Sequence, residues 1–112
     1  MTADQFRRIA LSLPEAVESA HMHHPDFRVH DKVFATLGYP DNGHGAVKLT
    51  SAQQKALVDA EPDVFAPAAG AWGRQGMTTV RLRAAKKTVV RQALVHAWCN
   101  TAPKTLVRAM KL

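Results

Sequence analysis

The 112-residue chain has a single cysteine, and none of its apolar runs approaches the ~18 residues of a membrane-spanning helix. One cysteine excludes an internal disulfide and fits a reducing compartment. Cys99 falls in a predicted half-apolar helix, so we expect a buried, unreactive thiol. The first residues, MTADQFRRIALSLPEA, are charged and lack the apolar segment of a signal peptide. We therefore expect a cytoplasmic protein that does not associate with a membrane.

Sequence motifs of enzymes and cofactor-binding proteins are also missing. The chain has no phosphate-loop lysine motif, no dinucleotide-binding fingerprint and no nucleophile elbow. Residues 64–112 contain no aspartate or glutamate, so that half offers no carboxylate pair for acid–base catalysis. We therefore expect a non-enzymatic protein with no catalytic residue and no cofactor. The alternative is an enzyme whose catalytic groups, such as His24, Asp26 and Arg28, are brought together only by folding.

Histidine is concentrated in one segment, but its spacing does not fit a metal site. Residues 21–30 contain His21, His23, His24 and His30 together with Asp26. Zinc binds histidine and carboxylate ligands, yet no HExxH, CxxC or comparable spacing is present. In an extended chain His21 and His23 share one face while His24 points away. The segment therefore predicts solvated loop histidines and no metal site.

The two halves of the chain carry opposite net charge. Residues 1–63 hold six Lys/Arg and all nine Asp/Glu, whereas residues 64–112 hold nine Lys/Arg and no acidic side chain. The formal charge is therefore −3 for the first half and +9 for the second. This asymmetry favours a polyanionic partner, such as nucleic acid, an anionic surface or an acidic protein. The alternative is a solvated basic face that keeps the protein soluble.

The length is that of one domain, residues 1–112, in which segments of helical and strand periodicity follow one another. The predicted order is a helix, several antiparallel strands, a helix, one or two further strands and two final helices. Hairpins beside helices imply an α+β domain in which the helices pack on one face of an antiparallel sheet. We expect this domain to be a monomer.

Capping motifs and apolar spacing indicate where the helices begin. Thr2 with Gln5, and Ser51 with Gln54, each match a capping box. A longer helix is predicted over about residues 85–100, where apolar residues form one stripe.

Residues 64–83, VFAPAAGAWGRQGMTTVRLR, combine a glycine-rich turn with an alternating strand. Alternation places the apolar residues of the strand inward, with Arg81 and Arg83 outward toward water. Trp72 lies among the glycines, and we interpret it as a plug over the edge of the core. The alternative role for Trp72 is a stacking platform for a base or ring. Trp98, on the apolar stripe of the long helix, is expected in the core.

Outward-pointing cations of the sheet, the glycine-rich turn and the last helix are the candidate phosphate contacts. They are Arg28, Lys48, Arg74, Arg81, Arg83, Lys104, Arg108 and Lys111. The last helix begins near Pro103, and its three cations share one face, for which the alternative is a solvated surface. Phosphate contacts position a protein without reading sequence, so weak, salt-sensitive, sequence-tolerant binding is expected.

A second hypothesis places a ligand in a cleft beside the glycine-rich turn and treats the basic face as incidental. This cleft would be formed by His24, Asp26, Arg28, Trp72 and Thr79. Its occupant would be an anionic small molecule or a protein partner. Stabilisation by a member of an anionic-metabolite screen would favour this hypothesis.

Short motifs spread over nearly the whole chain carry a family resemblance. They are HPDFRV at 24–29, VFATL at 33–37, GAWGRQGMTTV at 70–80, AW at 97–98 and APK at 102–104. In this order the motifs resemble the MmcQ/YjbR-like family. The resemblance implies a compact α+β fold similar to the CyaY (frataxin)-like arrangement, a double-wing motif and DNA binding.

The Gly38–Gly45 loop is the segment that would form a wing in such a fold. It carries Asp41 and His44 but no lysine or arginine. Phosphate contact is therefore expected from the strand face and the C-terminal helix rather than from this loop.

Overall fold

The computed structural model describes residues 1–110, in which six strands form one antiparallel sheet. The strands are β1 (Ala16–His21), β2 (His24–Val29), β3 (Lys32–Leu37), β4 (His44–Lys48), β5 (Phe65–Pro67) and β6 (Met77–Arg81). Their order across the sheet is β1-β2-β3-β4-β6-β5. The helices are α1 (Ala3–Leu11), α2 (Ser51–Ala60), α3 (Gly70–Arg74), α4 (Lys87–Thr101) and α5 (Lys104–Ala109), with a 3-10 turn at Leu82–Ala84. The predicted α+β architecture is confirmed.

Two-residue turns connect the first three strands. Met22 and His23 join β1 to β2 with φ of 48° and 68°, and His30 and Asp31 join β2 to β3 with φ of 49° and 66°. Positive φ at both central residues is characteristic of the type I′ turn, whose twist matches that of the paired strands. Side chains are disfavoured in this region of φ, so the strand pairing must compensate for local strain. The first turn also leaves Met22 84% exposed.

The main core lies between one face of the sheet and helices α1, α2 and α4. Phe27, Val47 and Val80 project into it from the sheet and are fully buried. Trp98 of α4 is fully buried as well, and its indole N–H donates a hydrogen bond to the carbonyl oxygen of Pro14 at 3.0 Å. The predictions that the helices share this face and that Trp98 is a core residue are confirmed for these elements.

The opposite face of the sheet carries a smaller apolar cluster around Trp72. Ala46, Ala68 and Met77 are buried there, and Tyr39 and Trp72 pack against them. The Tyr39 and Trp72 rings meet edge to face, with centroids 4.9 Å apart. Helix α3 therefore differs from α1, α2 and α4 in contacting this second face. Trp72 is a plug, as predicted, but it covers the second cluster and not the edge of the main core.

Two glycines of the 64–83 stretch allow backbone segments to approach one another closely. A Cβ on Gly73 would lie 1.8 Å from the carbonyl oxygen of Ala68, and one on Gly76 would lie 1.8 Å from that of Leu49. Gly76 also has a φ of 105°, which residues with a side chain rarely adopt. The absence of these two side chains thus lets α3 and the start of β6 pack where they do.

The capping box of α2 is displaced by one residue from its predicted position. Thr50 and Gln53 form it, and not Ser51 and Gln54. Threonine and serine are adjacent here, so the pattern fits two registers equally well. The observed register leaves the Gln54 side chain free to donate a hydrogen bond to the carbonyl oxygen of Gly73 at 3.0 Å.

The two terminal helices match their predictions. Thr2 and Gln5 form the reciprocal capping box of α1. Leu106 and Val107 of α5 are half-buried against the main core, whereas Lys111 lies outside the described residues. None of the helices within residues 1–110 has the length and apolarity needed to cross a membrane.

The strand predicted through Arg83 ends two residues earlier, at Arg81. Leu82 then turns into the main core, and its N–H donates to the carbonyl oxygen of Gly43 at 3.0 Å. Arg83 is exposed in the 3-10 turn. The prediction that it shares the sheet face with Arg81 is therefore wrong, because burial of Leu82 ends the strand.

Cys99 lies on α4 beside the core and is half-buried. Burial raises the pKa of its thiol, which keeps the thiol protonated at neutral pH. This supports the prediction of an unreactive thiol, although the side chain is less buried than expected.

Candidate functional site

A row of cross-strand neighbours crosses the sheet face opposite the main core. Asp26 pairs with Thr36, Thr36 with Ala46, and Ala46 with Thr79, so four strands contribute one residue each. Asp26 and Ala46 are fully buried, Thr36 is 1% exposed and Thr79 is 9% exposed. Antiparallel sheets commonly expose to water the face that is turned away from their core. Three buried polar side chains therefore mark the centre of this face as a candidate site.

Asp26 anchors a network of charged side chains in this row. Arg28 donates to it through Nε at 2.8 Å and through Nη2 at 3.0 Å, and Nδ1 of His21 lies 2.7 Å from its Oδ2. The hydrogen bonds from Arg28, and after them the contact with His21, hold the pKa of Asp26 below its ordinary value, although burial opposes this shift. Asp26 is therefore ionised at neutral pH. The sequence predicts Arg28 as an outward-pointing phosphate contact, and in the structure its guanidinium is paired with Asp26.

Two cavities adjoin this network, and both are lined by His21 and Trp72. The larger, of about 420 Å³, is also lined by Lys32, Val33, Lys48, Gln75 and Met77. The smaller, of about 290 Å³, is also lined by Met22, His24, Thr36 and Tyr39. We refer to the two cavities together as the groove. Their volumes, about 420 and 290 Å³, lie near the lower end of the range for small-molecule pockets, roughly 300–1,000 Å³.

Thr36 differs from the other buried threonines in its hydrogen bonding. Its Oγ1 is buried and has no hydrogen-bond partner among residues 1–110. Thr79, in the same row, donates to the carbonyl oxygen of Ala66 at 3.1 Å, and Thr78, on the core face, donates to that of Gly76 at 2.9 Å. An unpaired buried hydroxyl destabilises a fold by about 1–3 kcal/mol. A native protein that keeps one therefore calls for an explanation, such as a ligand or an ordered water.

The predicted phosphate contacts do not form one continuous surface. Lys48 and Arg81 lie at opposite ends of the β4–β6 pair, because Lys48 pairs with Met77 and Arg81 with His44. The remaining predicted cations within the described residues are exposed on other elements, namely Arg74, Arg83, Lys104 and Arg108. The buried row, and not a basic face, occupies the space between Lys48 and Arg81.

Two other groups of cations lie beside the N-terminal half of α1. Arg8, Lys87 and Arg91 line a cavity of about 200 Å³ between α1 and α4. Arg81 and Arg83 line another, of about 470 Å³, beside the first residues of the chain. The six cations Arg8, Arg81, Arg83, Lys86, Lys87 and Arg91 are referred to below as the basic edge. None of the six has a carboxylate oxygen within 4.0 Å among residues 1–110.

An acidic residue also borders the basic edge. Asp41 lines the cavity that contains Arg81 and Arg83. Its Oδ1 lies 2.7 Å from Nδ1 of His44 and accepts from the N–H of Gly43 at 2.9 Å. The contact with His44, and after it the bond from Gly43, hold the pKa of Asp41 below its ordinary value. Asp41 is ionised at neutral pH and reduces the positive potential at this end of the edge.

Sequence reasoning did not identify Arg8, Lys86, Lys87 and Arg91 as site residues. Arg8 lies on α1, whereas Lys87 and Arg91 lie on α4 and Lys86 is the N-cap residue of α4, more than 70 positions away in the chain. The packing of α1 on α4 brings the two groups together, and this tertiary contact has no local sequence pattern. The excess of positive charge in residues 64–112 predicted a polyanionic partner, but it does not indicate which cations lie close together in the fold.

The histidines of residues 21–30 are distributed over separate contacts. His21 binds Asp26, Nε2 of His30 lies 2.8 Å from Oε1 of Glu15, and His24 lines the groove. Across residues 1–110, no group of three His, Cys, Asp or Glu side chains is arranged to hold a metal ion.

Comparison with known proteins assigns the family. Residues 11–100 match the family model named YjbR. The chain belongs to the YjbR family. The crystal structure of Deinococcus radiodurans protein DR2400, a DUF419 domain, is similar with a TM-score of 0.75, covering 88% of this chain and 77% of that one at 18% identity. At this identity the likeness shows the fold alone. No curated protein sequence matches this one.

In this YjbR-family domain the predicted cleft residues are brought together only in part. His24 and Trp72 line the groove, and the Asp26–Arg28 pair lies beside it. Thr79 shares the sheet face, but within the described chain it does not line the groove, and its hydroxyl is already bonded to Ala66. The structure therefore does not bring Thr79 together with the residues that line the groove.

Proposed function

We propose that this YjbR-family protein is a non-enzymatic DNA-binding protein that holds the phosphate backbone through the basic edge. The observation that supports this proposal is that cations line two cavities beside α1, one with Arg8, Lys87 and Arg91 and the other with Arg81 and Arg83. Lys86, the N-cap residue of α4, directly precedes Lys87. Among residues 1–110 these cations have no carboxylate partner within 4.0 Å, so their charge is available to a polyanion.

The physical basis is the release of counterions from DNA. Each neutralised phosphate lowers the slope of log K against log salt concentration by about 0.9, so six contacts correspond to a slope of about −5. Backbone contacts carry no base information, and binding should therefore tolerate changes of DNA sequence.

The other cations of the sequence prediction have a secondary role in this proposal. Lys104 and Arg108 are exposed on α5 and would assist as peripheral contacts. Lys48 lies at the far end of the β4–β6 pair, and Arg28 is paired with Asp26. The proposed surface is therefore the basic edge and not the sheet face.

The test is fluorescence anisotropy of a labelled random-sequence duplex across a salt series. The variants Arg81→Glu/Arg83→Glu and Lys87→Glu/Arg91→Glu each remove two of the proposed contacts. We expect each to weaken binding by more than tenfold at low salt and to make the salt slope shallower by about 2.

A matched control separates local contact from net charge. The variant Lys32→Glu/Lys55→Glu changes the total charge by the same amount at positions outside the basic edge, and it should bind within about threefold of the unmodified protein. Absence of binding at low salt would contradict the proposal. Equal weakening of the control and of the edge variants would contradict it too, since only long-range charge would then matter.

A further inference from the structure

The larger cavity of the groove is electrostatically suited to an anion. Lys32 and Lys48 line it, and no aspartate or glutamate within residues 1–110 lines either cavity. Neither lysine has a carboxylate oxygen within 4.0 Å in the described chain. The nearby Asp26 is already paired with Arg28. Two uncompensated ammonium groups in a concave site favour a carboxylate or a similar small anion.

The wall common to the two cavities is aromatic. Trp72 lines both, is half-buried, and is held in place by its edge-to-face contact with Tyr39. Val33 and Met77 add apolar surface in the larger cavity. A planar ring fits such a surface, because aromatic and thioether side chains pack well against aromatic groups.

One of the residues that line the smaller cavity has an unused hydrogen-bonding group. Thr36 lines it, and the Thr36 hydroxyl has no partner among residues 1–110. A hydroxyl donates one hydrogen bond and accepts up to two. The pairing of Thr36 with Asp26 places this group on the same sheet face as the charged network. The hydroxyl oxygen is itself buried, so a ligand gains from a polar atom there once neighbouring side chains shift enough to admit it.

We propose that the groove binds a small aromatic carboxylate with a second polar group at the end of the ring opposite the carboxylate. The carboxylate lies between Lys32 and Lys48, the ring packs on Trp72, and the second polar group bonds to Thr36. The groove shares no residue with the basic edge, so ligand binding and DNA binding can be tested independently of one another.

The experiment uses three related probes and follows amide and indole N–H resonances of the full chain by NMR. The probe 6-hydroxy-2-naphthoate has both polar groups, 2-naphthoate lacks the hydroxyl and 2-naphthol lacks the carboxylate. We expect saturable shifts from the first probe at the Trp72 indole and at residues lining the groove. The Trp98 indole, which is buried and bonded to Pro14, serves as an internal control and should not shift.

Two variants assign the two ends of the ligand. Lys32→Ala/Lys48→Ala should lower the affinity for 6-hydroxy-2-naphthoate about tenfold and leave the affinity for 2-naphthol unchanged. Thr36→Val removes the hydroxyl but keeps the side-chain shape. It should therefore lower the affinity for 6-hydroxy-2-naphthoate three- to tenfold and leave the affinity for 2-naphthoate unchanged. Arg81→Ala/Arg83→Ala removes the same charge from the basic edge and should leave all three probes unaffected.

Several results would overturn the proposal. One is the absence of saturable shifts up to millimolar probe, and another is equal shifts of both indoles. A third is an equal loss of affinity for 6-hydroxy-2-naphthoate in the Arg81/Arg83 variant and in the lysine variant, which would mean that only non-specific charge attraction is involved. If the unmodified protein binds DNA but none of the probes, the groove proposal is wrong and the basic-edge proposal stands. If it binds the probes but not DNA, the basic-edge proposal is wrong and the groove proposal stands.

Discussion

Arg28 donates to both carboxylate oxygens of Asp26, two positions earlier on the same strand, at 2.8 and 3.0 Å. Residues two apart on a strand share a face, so strand formation itself brings the pair together. The consequence is unequal for the two partners: Asp26 is fully buried, whereas the side chain of Arg28 is 29% exposed. Loss of Arg28 would leave a buried carboxylate supported by His21 alone.

We predict that Arg28→Ala lowers the free energy of unfolding by about 2–3 kcal/mol at pH 7. This is less than the roughly 3–5 kcal/mol for breaking a fully buried pair, because Arg28 is partly exposed. Arg7→Ala is the control, since Arg7 bridges the more exposed Asp4 and Glu18 and should change stability by less than about 1 kcal/mol. Urea unfolding of both variants gives the comparison. Equal effects would show that burial of Asp26 is unimportant.

The stability contributed by Asp26 should depend on pH in the acidic range. Its pKa is held low in the folded protein, chiefly by Arg28. A lowered pKa stabilises the fold at every pH above the unfolded value, about 3.9, and this contribution disappears as pH falls through the folded value. The stability difference between the unmodified protein and Arg28→Ala should therefore be full at pH 7 and shrink below about pH 4. A difference that is constant from pH 7 to pH 3 would contradict this assignment.

Removing the unpaired hydroxyl of Thr36 should not destabilise the protein in the absence of a ligand. Valine has nearly the same shape, so Thr36→Val should raise the free energy of unfolding by about 1 kcal/mol, or a few degrees in Tm. Thr78→Val is the matched control, because Thr78 is equally buried but bonded to Gly76 and Gln54, and it should lose about 1–2 kcal/mol. A loss of stability in Thr36→Val similar to that of the control would mean that an ordered water already satisfies the hydroxyl.

Local sequence patterns predicted the elements and the main core of this domain well. Trp98, the capping box at Thr2, and the strand alternation that places Val80 inward all follow from periodicity and capping chemistry. These features depend on neighbours within one or two turns of chain, which a sequence displays directly.

The candidate sites depend on contacts that the sequence does not display. Alternation alone indicated that Arg28 points outward, whereas in the structure its guanidinium pairs with the buried Asp26. The apolar cluster that Trp72 of α3 covers likewise depends on contacts between distant segments. The hydroxyl of Thr36 lies within an ordinary strand motif, and its lack of a partner becomes visible only with the neighbouring strands in place. The basic edge likewise depends on the packing of α1 against α4.

The register of the α2 cap makes a simple prediction. The Thr50 hydroxyl accepts from the N–H of Gln53, whereas Ser51 is exposed in the first turn. Thr50→Ala should therefore lower the free energy of unfolding by about 1 kcal/mol, and Ser51→Ala should change it by less than about 0.5 kcal/mol. Denaturant titration of the two variants distinguishes them. A larger loss of unfolding free energy for Ser51→Ala than for Thr50→Ala would indicate that Ser51 caps the helix, as the sequence predicted.

Gly70 and Gly76 lie in the same short stretch and both have positive φ, but their surroundings differ. A Cβ on Gly70 would meet no atom within 4 Å, whereas one on Gly76 would lie 1.8 Å from the carbonyl oxygen of Leu49. Gly70→Ala should therefore destabilise the fold by about 1–2 kcal/mol through backbone strain alone. Gly76→Ala adds a clash with backbone that cannot move without breaking the bond from the N–H of Leu49 to the Gly76 carbonyl oxygen. The combined loss should be about 3 kcal/mol or more, with weakened packing of Trp72 on its cluster.

Thermal unfolding and near-ultraviolet circular dichroism of the two alanine variants test this difference. Equal Tm values would show that φ alone determines the requirement for glycine at these positions. A lower Tm for Gly76→Ala, with loss of the aromatic signal, is the result expected from close approach of β6 to the end of β4. Because Trp72 forms the wall of the groove, the same variant should also lose binding of 6-hydroxy-2-naphthoate while Gly70→Ala retains it.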